Sequence, residues 1–148
     1  MFRLLCGVGE TMAVEHTCFF HLAQAALEKN GEAWTRSAIS RAYYGMYHSA
    51  MRVTGNRIPV KTLSGESLPG GVHQRLYTFL CSGEAAQVSG YDVASMQEIG
   101  LKLKQYHEQR IKADYRLYEK LNRITAITAL REAEKVDDMV NQLLTPRR

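Results

Sequence analysis

Proline is the strongest constraint on this chain, by its scarcity. Pro59, Pro69 and Pro146 are the three prolines, so the run up to Pro59 and the run from Pro69 to Pro146 are otherwise free of them. Proline removes a backbone donor and collides with the preceding helical turn, so long proline-free runs leave helices open. Apolar residues recur in these runs at spacings of three and four, not in alternation, which is the helical period. The expected fold is all-α: an up-down helical bundle of about five helices.

The elements follow from punctuation. Residues 13–29 place Val14, Cys18, Leu22, Ala25 and Ala26 on one face, and Asn30-Gly31 ends that helix. A second helix runs from Glu32 to about Val53, with a stripe of Trp34, Ala38, Ala42, Gly45 and Ser49 that permits close packing. The segment 55–71 is rich in glycine, serine and proline and reads as a long loop, the kind that is usually functional or mobile. A short helix over 71–83 turns Val72, Leu76, Phe79 and Leu80 inward, and "EAAQVSGYD" reads as a linker. The fourth helix is capped by Asp92 or Ser95, the latter forming a capping box with Glu98, and carries Ile99, Leu103, Tyr106 and Arg110 inward to about Ala113. "DYRLYEKLNRI" reads as irregular or loosely helical, and a last helix spans about Thr125 to Leu144. Residues 1–12 read as an N-terminal extension and 13–146 as a single domain, a length sufficient to bury a core.

Three scattered cysteines form neither a disulfide framework nor a zinc set, which points to a reducing, cytoplasmic compartment. No run of about 18 apolar residues is present, so no membrane span is expected. "GVGETM" lacks the rest of a dinucleotide-binding loop and no strand precedes it, and His16 and His21 are five apart, wrong for one helical face. No cofactor and no metal are therefore expected.

The formal net charge of +4 is uneven. Residues 1–100 balance, as do 124–148, while 101–123 hold 7 Lys/Arg against 3 Asp/Glu. Such a segment attracts phosphate, or is simply a solvated helix face.

Two stretches combine chemistry with helical spacing. In "SAISRAYYGMYHSAMR", Arg41, Tyr44 and His48 share one face. In "HEQRIKADYRLY", His107, Arg110 and Asp114 do the same. Arginine holds a phosphate through two hydrogen bonds, and histidine exchanges protons near neutral pH. The competing reading is packing: tyrosines inside a bundle, a boundary histidine, and Arg110–Asp114 as a helical ion pair.

Taken in order, "SAISRAYYGMYHSA", "GVHQRLYTFL" and "YHEQRIKADYRLY" resemble the HEPN superfamily, most closely a prokaryotic branch with an S-R-x-Y-Y-x-x-[FY]-H helix and a later R-x-x-A-D-Y helix. The similarity covers about 13–144. It implies an α-helical bundle that dimerises and an RNA- or nucleotide-linked function. Many members are metal-independent ribonucleases, several are toxins paired with a nucleotidyltransferase antitoxin, and others are non-catalytic modules. The ribonucleases carry an arginine followed by a histidine four to six residues on. Arg110 matches that arginine. Tyr115 stands where the histidine often sits and Ile111 where an asparagine often follows. A phenol with a pKa of about 10 is a poor base at neutral pH, so the motif is degenerate.

The expected site residues are thus Arg110, with His48 or His107 as acid/base, and Arg41, Tyr44, Lys112, Asp114 and Tyr115 as ligand contacts. The expected partners are RNA or a nucleotide, a second copy of the chain, and a nucleotidyltransferase antitoxin.

Overall fold

The computed structural model describes residues 13–146, so the N-terminal extension expected over 1–12 lies outside the described residues. Among the described residues there are six helices and no strand: α1 (Thr17–Leu27), α2 (Glu32–Met51), α3 (Val72–Cys81), α4 (Glu84–Ser89), α5 (Val93–Tyr115) and α6 (Arg123–Leu144), with a single 3-10 turn, Arg52–Thr54, after α2.

Small residues explain why α2 occupies the middle. Ala38, Ala42, Ser49 and Ala50 are fully buried on it, and α2 lies against α1, α5 and α6. At Gly45 an added Cβ would stand 2.4 Å from the Phe20 ring, so α1 rests directly on the α2 backbone. α3 seats on α5 in the same way: a Cβ on Gly100 would meet the Cys81 amide nitrogen at 2.9 Å. The buried side chains form one continuous cluster, in which Ile39, Met46, Leu76, Leu80, Met96, Ile99, Leu103, Val136 and Val140 are almost wholly covered.

Two polar nodes tie the long helices together. Asp137 of α6 accepts from His16 Nε2 at 2.7 Å, from Ser49 Oγ at 2.7 Å and from Arg52 Nη2 at 2.9 Å, joining the start of α1 and the end of α2. At the opposite end of α2, Arg36 Nη1 donates to the carbonyls of Lys112 (3.0 Å), Ala113 (3.2 Å) and Arg116 (3.2 Å), and Nη2 donates to the carbonyl of Glu119. The last carbonyls of a helix have no partner within it, and Arg36 supplies one to the end of α5. Glu32 grips the same guanidinium at 2.9 Å and accepts the Leu121 amide at 3.1 Å. The amide and the guanidinium hold the Glu32 carboxyl below its ordinary pKa. "DYRLYEKLNRI" is thus the end of α5, a pinned turn and the start of α6.

Three expectations need correction: the linker reading of 84–92, the inward face of α1, and the inward placement of Trp34 and Val72, which are 43% and 42% exposed. "EAAQVSGYD" contains α4, framed by Gly83 and Gly90 at φ 87° and 78°. It buries only Ala85 and Ala86, too short a stretch for a period to show. The inward face of α1 is Phe20, Ala23, Ala26 and Leu27, whereas Val14 and Leu22 point to solvent. An apolar sequence on most sides leaves the choice of face to Gly45. Of the two caps expected for α5, Asp92 is the one used, its carboxylate accepting the Ser95 amide at 2.9 Å.

The segment 55–71 is closed by its own bonds, including the Leu68 amide to the Val60 carbonyl at 2.9 Å, and Arg75 Nε holds the Pro59 carbonyl at 3.0 Å.

Two substitutions test this packing. Gly100→Ala should destabilise by about 1–3 kcal/mol, since the new methyl meets main chain that cannot swing aside. Arg36→Ala should cost about 2–3 kcal/mol by stranding α5 carbonyls, with Arg36→Lys intermediate. Urea unfolding followed by circular dichroism measures both.

Candidate functional site

Contacts between α2 and α5 run in opposite order. Arg36 meets the carbonyls of 112–116, Ser40 meets Asp114, and Tyr43 lies beside His107 and Arg110. The pair is therefore antiparallel, and its register brings the two sequence stretches face to face.

Arg110 is at the centre and is only 8% exposed. Its guanidinium carbon stands 5.9 Å from the Tyr43 ring centre, 5.6 Å from Tyr44 and 5.9 Å from Tyr115. Among the described residues its one ion pair is with Asp114, at 3.7 Å, longer than a tight guanidinium–carboxylate bond of about 2.8 Å. Arg110 Nε is buried and has no hydrogen-bond partner among the described residues. A buried cation paired at that length keeps a strong demand for an anion. Arg41 approaches the same tyrosine, its guanidinium 5.0 Å from the Tyr44 ring, and donates to Ser40 Oγ at 3.3 Å, which donates in turn to Asp114 at 3.2 Å. Two guanidinium groups thus share the Tyr44 ring beside a single carboxylate.

The imidazoles complete the cluster. His73, near the start of α3, lies 2.7 Å from the Tyr43 hydroxyl through Nδ1, and stacks on His107 at 4.9 Å between ring centres and 20° between planes. Burial, then the neighbouring His107 and Arg110, push the His73 pKa down to about 4. Burial and Arg110 lower that of His107. Burial holds the Tyr43 phenol far above its usual value, so its proton stays on. A hydroxyl that donates to Nδ1 leaves the imidazole proton on Nε2. At neutral pH the arrangement is two uncharged imidazoles beside two fixed positive charges.

Of the expected residues, the structure brings Arg41, Tyr44, His107, Arg110, Asp114 and Tyr115 together. Tyr115 is 70% exposed and forms the outer edge. His48 keeps the face it shares with Arg41 and Tyr44, but at its outer end: it stacks on Phe19 of α1, at 5.5 Å and 8°, a ring that also lies 6.1 Å from Tyr44 and 5.6 Å from the Arg41 guanidinium, and its pKa is lowered by partial desolvation and then by His16. Lys112 takes part through its carbonyl, held by Arg36. His73, Tyr43 and Ser40 were not expected as site residues. His73 lies within "GVHQRLYTFL", yet nothing local in that stretch separates it from any helix-start histidine.

No family model, no curated protein and no solved structure matches the chain. Among the described residues no group of three or more His, Cys, Asp or Glu side chains is placed to hold a metal ion, and no helix is long and apolar enough to cross a membrane.

The depressed imidazoles make stability depend on pH. The unfolded chain takes up their protons near pH 6.5, and the folded chain only at lower pH, about 4 for His73. Their contribution is complete above about pH 6.5 and is lost as pH falls through the folded values. Melting temperature should fall between pH 7 and pH 4, and fall less in His73→Gln. The depressed carboxyls Glu32 and Glu132, with an ordinary value of 4.5, and Asp137, with 3.8, act in the same direction and overlap only the acid end of that window.

Proposed function

We propose that this chain is a HEPN-type RNA- or nucleotide-binding protein, a metal-independent ribonuclease of altered or weak activity within a toxin–antitoxin or defence system. The observation that carries the reading is the under-paired Arg110, which shares the Tyr44 ring with Arg41. Phosphate is the ligand such a pair suits: it replaces the weak Asp114 contact with charge-assisted bonds to two guanidinium groups. The excess of basic residues over 101–123 favours the same ligand.

Cleavage without metal requires one group to take the ribose 2′-hydroxyl proton as that oxygen attacks phosphorus. A second group gives a proton to the departing 5′-oxygen. In this reading His107, held uncharged beside Arg110, is the nearer of the two expected acid/base residues, and His48 the farther. The protein acts as a cytoplasmic homodimer built on an up-down bundle, with a nucleotidyltransferase antitoxin as its partner.

The exposed side chains of Tyr115, Leu117 and Tyr118 favour a second reading. In it, the chain is a non-catalytic module that docks a protein partner, a nucleotidyltransferase, and the Arg110–Asp114 pair is structural.

Purified protein in metal-free buffer, tested with single-stranded RNA beside Arg110→Ala, His48→Ala and His107→Ala, separates the two. The first reading expects Arg110→Ala to lose at least about tenfold in RNA affinity, one charge-assisted contact's worth, with helical content retained. Cleavage, where present, is lost in Arg110→Ala and in one histidine variant. Wild-type affinity in Arg110→Ala sinks the first reading. Absence of RNA binding and of toxicity on overexpression supports the second.

A further inference from the structure

Next to the Arg110 cluster, α3 and α5 frame a second feature that no step above uses. Tyr77 of α3 and Leu101, Lys104, Gln105, His107 and Glu108 of α5 line a groove of about 520 Å³. His107 belongs to both places: one side of its environment is the His73 ring at 4.9 Å, and another is the Tyr77 ring at 6.0 Å. His107 and Arg110 are three residues apart on α5, about 4.5 Å along the axis. The link between the two places is His107, whose ring lies 5.6 Å from Tyr43, the ring that Arg110 also approaches at 5.9 Å.

The lining states what that block is. Tyr77 and His107 offer flat faces. Leu101, 60% exposed, offers an apolar surface held in water. Gln105 offers a donor and an acceptor from one amide, and Lys104 a donor. The Glu108 carboxylate is anchored at the rim by Arg116 at 2.9 Å through Oε2, leaving its other oxygen as an acceptor. Flat faces with mixed edge groups suit an unstacked nucleobase, the usual target of sequence recognition in single-stranded RNA. A bare phosphate has no use for this lining, and an amphipathic partner helix needs more apolar surface than Leu101 supplies.

We infer that the Tyr77–Leu101–His107 groove is a nucleobase subsite for the RNA strand whose backbone phosphate binds at Arg110 and Arg41. The inference rests on the phosphate reading of Arg110. In it, base and phosphate are read by two adjacent sites that share His107, and the base site supplies affinity that depends on the ring and not on charge.

The test compares a single-stranded oligoadenylate with an abasic ribose–phosphate oligomer of the same length, in metal-free buffer, with binding followed by fluorescence anisotropy. Wild type should bind the base-bearing oligomer at least about tenfold more tightly, as expected where bases stack on aromatic side chains. Tyr77→Ala and Leu101→Asn should remove most of that preference while leaving affinity for the abasic oligomer unchanged. Arg110→Ala should weaken both oligomers alike. Leu101 is exposed, so Leu101→Asn keeps the test valid even where Tyr77→Ala disturbs folding. A preference that survives both groove variants, or a wild type with no preference, overturns the base subsite and leaves the phosphate site standing. A wild type that binds neither oligomer overturns the phosphate reading, and this inference with it.

Discussion

Arg36 sets the position along which the two site-bearing helices meet. Its guanidinium donates to four carbonyls at and beyond the end of α5, and Glu32, one turn earlier on α2, secures both the guanidinium and the Leu121 amide. Helix ends are where backbone groups lack partners, so a side chain that satisfies several at once fixes one helix against the other. With that point fixed and the helices antiparallel, Ser40 meets Asp114 and Tyr43 meets His107 and Arg110. Moving α5 along α2 by a single turn would separate Arg110 from Tyr44 and His107 from Tyr43.

The small-residue face of α2 allows the approach that Arg36 registers. Ala38, Ala42, Gly45, Ser49 and Ala50 keep its surface low over most of its length, and the large residues Tyr43, Met46 and Tyr47 fill the spaces between neighbouring helices. Tyr43 does more than fill. Its ring contacts both His73 and His107, lies under Arg110, and its hydroxyl meets His73 Nδ1. Core packing and the polar cluster are therefore continuous, and the cluster is held by the same side chains that hold the fold.

The electrostatics of the cluster run against stability. Two guanidinium groups beside one carboxylate, with two imidazoles held neutral by desolvation, are a poorer arrangement for folding than apolar packing of the same volume. The molecule carries compensation elsewhere: three donors converge on Asp137, and Lys102 pairs with Glu132. A site that keeps unmet demand for negative charge inside a well-packed bundle is consistent with ligand binding at that point.

Much of this was legible in the sequence. Scarce proline and three-and-four spacing determined that the chain is helical, and Asn30-Gly31 and Pro146 marked true ends. The stripe Trp34–Ala38–Ala42–Gly45–Ser49 was readable as a packing face, right from Ala38 onward and wrong at the exposed Trp34, and Ile99, Leu103, Tyr106 and Arg110 as the inward face of α5, because both depend on helical periodicity. Arg41, Tyr44, His107, Arg110 and Asp114 were readable as candidates on the same ground. Only the tertiary structure decided which of them meet. Helical spacing gives His48 the same face as Arg41 and Tyr44, and it is α1 that brings Phe19 against all three. His73 enters the cluster from another helix, α3, through the register of α3 on Gly100. Arg36, an ordinary surface residue by sequence, became the pin of the α5–α6 turn. Periodicity is a property of one helix and is carried by the chain itself. The meeting of side chains from different helices depends on axial register and rotation, and these are set by close contacts at Gly45 and Gly100 and by the bonds of Arg36, between residues far apart in sequence.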